Sequence, residues 1–368
     1  MTEYSSQFIN HDGIYLLNHS VGRPPSSTRR ALTEGFLDCW EQGPADPWPS
    51  WLEGIDNFCH TLAALFNTEA TQLCPQSNLS SALTKILYSL RPSDQRHTIL
   101  LSEEDFPSLG FVVQRAQTMG YKIKFIPAEM DLQDMQVWKK HIDEEVLFVL
   151  LTQVQSNNGR LLPIQEILEI SRSKGCISIL DVAQSAGLVP MDLQVLDADF
   201  VIGSCVKWLC GGPGAGFLWA SNDMLNRCEP IDVGWFSHSD PFEFNIHDFR
   251  FAGDAKKFWG GTPSVAAFIL AGNSIKQILE IGIEEVRIHN LEYTQLVINA
   301  WGEKVVSPHE AKLRSGTLIV DFGDDQQTFI GNLNQTNVQF DSRIKGVRLS
   351  PHIYNKLDEI DLLLSCAP

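Results

Sequence analysis

Val146-Leu-Phe-Val-Leu-Leu151, Ile177-Ser-Ile-Leu-Asp181 and Asp199-Phe-Val-Ile-Gly203 are the three segments whose reading decides the fold. The first is a continuous apolar run of the kind buried on both faces of a sheet. Between it and the second lies Pro163, suited to the first turn of a helix, followed by an apolar stripe at Ile164, Ile167, Leu168 and Ile170. That helix is expected to stop near Lys174-Gly175. Strand, helix and strand at this spacing predict a parallel sheet with helices on its faces, an α/β fold. Ligands in such sheets gather beyond the carboxyl ends of the strands. Asp181 and the segment Ser204 to Lys207 both fall at such ends, so the chemistry is expected there.

Upstream of this block, Leu52, Ile55, Phe58, Cys59, Leu62 and Leu65 repeat at three- and four-residue steps and predict a helix from about Trp51. The first fifty residues mix Pro24-Pro25 and Gly43-Pro44 with Trp40, Trp48 and Trp51, which predicts an irregular arm laid over something else. Downstream, one long helical stretch is expected from Ser264 to about Thr294. Strand-like Leu318 to Phe322, then Val347-Arg348-Leu349, then a final helix near Ile360 complete the chain. The expected division is an N-terminal arm over 1–24, a large domain with a mainly parallel sheet over 25–260, and a smaller C-terminal α+β domain over 261–368.

A chain of 368 residues with 43% hydrophobic and 20% charged residues has ample material for a core, which excludes disorder over most of its length. Lys and Arg number 28 against 45 Asp and Glu, so 28 − 45 = −17. Such a carboxylate sheath repels phosphate backbones and anionic lipid, arguing against nucleic acid and membrane as partners. The apolar run Val146 to Leu151 is far too short for a bilayer, and the acidic, unpatterned N-terminus does not read as an export signal. The eight cysteines lack metal-type pairing. Reduced thiols in a cytoplasmic protein without a metal site are the expectation.

Four features converge on one site the size of a cofactor. Ser80-Ser81 opens a helix with the apolar face Ala82, Leu83, Ile86, Leu87 and Leu90, so its first-turn N–H groups and hydroxyls make a seat for phosphate. Ser80 as a simple N-cap is the plainer alternative. Asp181 closes an apolar strand, where a carboxylate is costly unless a cation or a donor meets it. Local capping explains it equally well. Lys207 is flanked by apolar residues within Gly203-Ser-Cys-Val-Lys-Trp-Leu-Cys-Gly-Gly-Pro-Gly-Ala-Gly216. Burial lowers a lysine's pKa and makes a nucleophilic amine suited to a Schiff base. Its glycines are not a dinucleotide fingerprint, because Phe217-Leu-Trp-Ala220 reads as a strand where that motif needs a helix. The fourth feature, Gly260-Gly-Thr-Pro263, is a tight turn with a central hydroxyl.

Together these residues resemble the class V aminotransferase superfamily of pyridoxal-phosphate enzymes, in its kynureninase-like branch. Asp181-Val-Ala-Gln-Ser-Ala-Gly-Leu-Val-Pro-Met-Asp192, Ala198-Asp-Phe200 and Lys207 to Gly216 carry the resemblance in order and spacing. Weaker echoes are Ile14 to Gly22, Phe106-Pro107-Ser108, Val233-Gly-Trp-Phe236, Gly261-Thr-Pro263 and Gly346 to Asn355. The resemblance implies the transferase fold of that superfamily, pyridoxal 5'-phosphate as cofactor, an amino-acid substrate and a homodimer. It implies that Lys207 forms the Schiff base and shuttles the proton, while Asp181 pairs with the pyridine nitrogen. It further implies cofactor contacts by Leu79, Ser80, Phe106, Gln184, Ser204 and Trp235, with Thr262 reaching in from a second subunit. Arg348 would clamp the substrate carboxylate by a two-pronged bond, and Asn18 and Ser20 would line the substrate pocket.

Val206 and Leu109 stand where kynureninases carry tyrosine and aspartate, and no cysteine lies between Cys228 and Cys366 where a desulfurase needs one. The expected function is an amino-acid enzyme working through Schiff-base and carbanion chemistry, with transamination, hydrolysis or lysis, and racemisation all open. The alternatives are desulfurase-like or other lyase activity, and a catalytically silent relative acting as a binding protein.

Overall fold

The computed structural model describes residues 4–9 and 12–368. Its strands in chain order are β1 (Ile14–Tyr15), β2 (Leu73–Gln76), β3 (Thr98–Ser102), β4 (Lys122–Ile126), β5 (Val146–Thr152) and β6 (Ile177–Asp181). They continue with β7 (Phe200–Ser204), β8 (Gly216–Ala220), β9 (Leu318–Val320), β10 (Val338–Gln339), β11 (Asp341–Arg343) and β12 (Gly346–Leu349). The main sheet has the order β2-β8-β7-β6-β5-β3-β4, and every neighbouring pair is parallel except those involving β8. The parallel neighbours β5 and β6 are joined through the helix Ile164–Ser173, as a parallel crossover requires. The glycine-rich segment after Lys207 instead turns straight back, so β8 runs antiparallel to β7, with Gly203 opposite Phe217. The expected mainly parallel α/β sheet flanked by helices is what the chain forms.

Two apolar cores carry the molecule. The larger surrounds the main sheet and includes Phe58, Phe148, Leu180, Phe217 and Phe268. The smaller joins Val297, Trp301, Phe329, Val347 and Ile360 to Ile14 and Leu16 from the arm. β1 pairs in parallel with β10, so the arm is stitched into the C-terminal unit.

Three expectations need correction. The stretch from Ser264 is two helices, Val265–Ile281 and Ile283–Trp301, because Gly282 takes φ +95°, outside the helical range but accessible to glycine. The region before Trp51 is partly helical, at Thr28–Leu32 and Asp38–Glu41, and the next helix begins at Trp48 with Pro49 in its first turn. Finally, the strand expected over Leu318 to Phe322 ends at Val320.

Candidate active site

Asp181 is the last residue of β6, an interior strand, and is 4% exposed. Its Oδ1 accepts the Ala183 N–H at 2.8 Å. Burial raises the carboxyl to about 6, against the opposing pull of the Ala183 N–H and of Lys207. Lys207 follows three residues after the end of neighbouring β7. Burial lowers its amine to about 8; Asp181 pulls it up, while Arg348 and Arg343 push it further down. A lysine with that value is partly neutral near pH 8, which an ordinary lysine is not.

Asp181 and Lys207 line one cavity of about 240 Å³ with Leu79, Ser80, Phe106, Gln184 and Ser204. The Lys207 Nζ lies 5.8 Å from the centroid of the Phe106 ring. Seven of the residues singled out in the sequence therefore meet here. Asn78, rather than Ser80, caps the helix Leu79–Tyr88, its Oδ1 accepting the Ser81 N–H at 2.9 Å. Capping therefore does not claim the Ser80 hydroxyl, and the helix start faces the cavity through Asn78, Leu79 and Ser80. Gln184 Nε2 donates to the His19 carbonyl at 3.2 Å, leaving Oε1 buried without a partner.

Other expected residues lie elsewhere. Asn18 is fully buried and its Oδ1 accepts the Tyr354 hydroxyl at 2.7 Å, so it faces the protein interior. Ser20 is half-buried and is not among the residues lining the cavity. Trp235 packs on Phe236 at 4.4 Å and Trp48 at 5.5 Å, beside a separate apolar groove that includes Phe244 and Ile246. Thr262 lines an adjoining hollow of about 270 Å³ with Ser77, Ser81 and Lys85, on another side of the same helix start.

Arg348 departs furthest from expectation, because it is not free. Its Nε donates to Asp341 Oδ1 at 2.6 Å, Nη2 pairs with Asp341 Oδ2, and Nη1 donates to the Ser156 carbonyl at 3.1 Å. Antiparallel pairing of β11 with β12 sets Asp341 directly opposite Arg348. His19 Nε2 stands 2.9 Å from the same Asp341 Oδ1, and its Nδ1 lies 2.7 Å from Ser350 Oγ. Burial lowers the His19 imidazole to about 4 despite the Asp341 bond, so near pH 7 the ring is neutral. Facing a carboxylate, its proton belongs on Nε2. Burial would raise the Asp341 carboxyl, but His19 and Arg348 outweigh it and hold it well below the usual range.

Sequence reasoning missed Asp341, Thr152, Ser156 and Asp105. Asp341 had a signal, since it and Arg348 flank the two-residue turn Ile344-Lys345 that closes a hairpin. Asp105 had none: burial raises its carboxyl to about 7, with Ser102 and Thr152 opposing and Asp181 adding.

Residues 53–304 match the family described as aminotransferase class-V, which is more than half of the chain. The chain belongs to this family. An uncharacterized aminotransferase of Bacillus subtilis is 25% identical over 315 residues, covering 85% of this chain and 83% of its own. A kynureninase of Deinococcus radiodurans is 28% identical over 297 residues, covering 78% and 70% respectively. Among solved structures, a C-DES mutant with glycine covalently linked to its pyridoxal-phosphate cofactor superposes with a TM-score of 0.86 at 20% identity, covering 96% of each chain. The cysteine desulfurase CsdA of Escherichia coli superposes at 0.84 and 19% identity, covering 99% of this chain and 96% of that one. At such identities the superpositions establish the fold. As a member of this family, the chain is an enzyme of the pyridoxal-phosphate-dependent, amino-acid-handling kind.

Proposed function

We propose that the cavity between Asp181 and Lys207 holds pyridoxal 5'-phosphate, and that the chain acts there on an amino-acid substrate. The observation that carries this reading is a buried acid and a buried amine bordering one 240 Å³ cavity beside an aromatic ring, with no side-chain ion pair among the described residues to satisfy either. The residues fit the group. Gln184 Oε1 is buried without a hydrogen-bond partner among the described residues, and Ser80, whose hydroxyl is not the helix cap, lines the same cavity.

When bound, this cofactor supplies an electron sink for a bond broken at the substrate's alpha carbon. Asp181 would hold a proton on the ring nitrogen through a charge-assisted bond, and the cation it gains there would lower its own raised pKa. Leu79 and Ser80 N–H groups at the helix start, with the Ser80 and Ser204 hydroxyls, would take the phosphate. Phe106 would cover one ring face. Lys207 would supply the amine that holds the cofactor, and its Nζ would hold or return the substrate's alpha proton. Its depressed pKa makes it competent for both roles near neutral pH. Transamination, side-chain hydrolysis or lysis, and racemisation all draw on this set.

The reading extends to a cytoplasmic homodimer in which Thr262 serves the phosphate of a second subunit. Eight free cysteines suit a reducing compartment, and the exposed Phe242, Phe244 and Ile246 around Trp235 suit a covered surface. Sedimentation as a cofactor-loaded monomer would overturn the Thr262 role.

The deciding experiment is optical and covalent. Purified protein should be yellow, and borohydride should fix the cofactor on the peptide carrying Lys207. A preparation that stays colourless with added cofactor overturns the reading in favour of a silent binding protein.

A further inference from the structure

The loop that carries Lys207 lies between β7 and β8 and belongs to no helix or strand, so its carbonyls depend on donors from elsewhere. Each carbonyl from Cys205 to Leu209 has one. Within the loop, Cys205 accepts the Gly211 N–H at 2.7 Å and Lys207 accepts the Cys210 N–H at 3.0 Å. The other three donors come from distant parts of the chain. Gly22 of the arm donates to Val206 at 2.8 Å, and Ser274 of the helix Val265–Ile281 donates its hydroxyl to Leu209 at 2.6 Å. His352, just beyond β12, places Nε2 at 3.1 Å from the Trp208 oxygen.

His352 is fully buried. A carbonyl can only accept, so the ring proton stands on Nε2. Nδ1 has no partner among the described residues, and a second proton there would have nothing to receive it. Burial, with His289 adding, brings the ring down to about 3 against the pull of the Trp208 carbonyl. Its titratable neighbours are uncharged as well, since burial raises the Cys210 thiol and lowers His289 to about 4. The ring is therefore a neutral donor of one hydrogen bond near pH 7. It also stacks on the Trp208 and Tyr354 rings, with centroids 5.7 and 5.0 Å away. Phenylalanine could supply that stacking. What histidine adds is the N–H on the carbonyl next to the lysine, which would otherwise be buried without a partner.

We propose that His352 is a positioning residue for Lys207, its Nε2–H on the Trp208 carbonyl tying the lysine loop to the C-terminal unit and keeping the amine aimed into the cavity beside Asp181. The amine's role in the reaction rests on the reading of the cavity given above.

The test separates donor from packing, and its first readout needs no cofactor. The Lys207 amine is set by burial and by Asp181, Arg348 and Arg343, so its titration reports whether the loop still holds it in place. Competitive acetylation of the complete, cofactor-free chain, read at the Lys207 peptide, gives that titration. The midpoint should lie near 8 in the wild type and in His352→Gln, whose amide keeps a donor within reach of the carbonyl. In His352→Phe, which keeps the stack and loses the donor, it should rise toward the ordinary lysine value. Uptake of added pyridoxal 5'-phosphate, followed by its yellow colour, should be about tenfold slower in His352→Phe and near the wild-type rate in His352→Gln. If His352→Phe does not fold, His352→Asn takes its place, since its shorter amide cannot reach the carbonyl. A donorless variant that matches the wild type in both readouts overturns the proposal. So does a His352→Gln that fails alongside it, which would leave stacking as the ring's whole contribution. A wild type that takes up no cofactor, while its amine titrates near 8 and shifts in His352→Phe, breaks the cavity reading and supports the positioning role.

Discussion

Asp181 at the floor of the site and Asp341 at its mouth are both carboxylates set against a cation, yet their surroundings drive them in opposite directions. The floor carboxyl is enclosed, with one backbone N–H for company and Lys207 across a cavity, and its affinity for a proton rises. The mouth carboxyl sits among His19 and Arg348 in direct contact, and its affinity falls. The lesson is a division of labour. Groups denied a direct partner are kept reactive, whereas groups given one are kept in place.

Lys207→Ala should break the floor most severely, reducing turnover on the order of a thousandfold or more, since it removes both nucleophile and base. Rapid-quench turnover with cofactor bound would check it. Asp181→Asn should lower turnover about a hundredfold. The same change should stabilise the cofactor-free protein at pH 7 by about 1–3 kcal/mol, because a buried charge disappears. Loss on both counts in urea unfolding and kinetics would show that the floor is structural as well. At the mouth, Arg348→Gln should cost about 2–3 kcal/mol, below the ~3–5 of a fully buried pair because Asp341 is a third exposed.

Acid titration sharpens the contrast by sign. Asp181 has its folded pKa raised from 3.8 to about 6, so the folded state binds the extra proton and stability falls as pH rises through that window. Asp341 has its folded pKa lowered, so its contribution is complete above the ordinary carboxylate value and is lost as pH falls below it. Urea midpoints for Asp181→Asn should therefore flatten between about pH 4 and 6, and those for Asp341→Asn below about pH 4. The smallest effect expected is from Lys345→Ala, which breaks a partly exposed pair with Glu104 worth about 0.2–1 kcal/mol.

The floor was legible because each of its members ends or follows an element that the sequence announces locally. Asp181 terminates an apolar run, Lys207 precedes a glycine cluster, and Ser80 opens an amphipathic helix. The mouth was legible only in part, because its chemistry lies in pairing across strands. The short turn between Asp341 and Arg348 hints at a hairpin, but only the register of that hairpin sets the two side chains opposite each other. Asn18 shows the same limit, since its motif suggested a substrate contact while Tyr354, 336 residues away, claims its side chain. The break at Gly282 was visible as a residue and hidden as an event, because the apolar pattern runs through it.

Gly22 donates its N–H to the Val206 carbonyl at 2.8 Å, and a side chain there would collide with the backbone oxygen of Lys207. A few residues earlier, Leu16 accepts the Ser350 N–H, and β1 lies along β10. The arm that seats the lysine's backbone is thus itself held by the C-terminal unit, so loosening the pairing of β1 with β10 would slacken the wall behind Lys207.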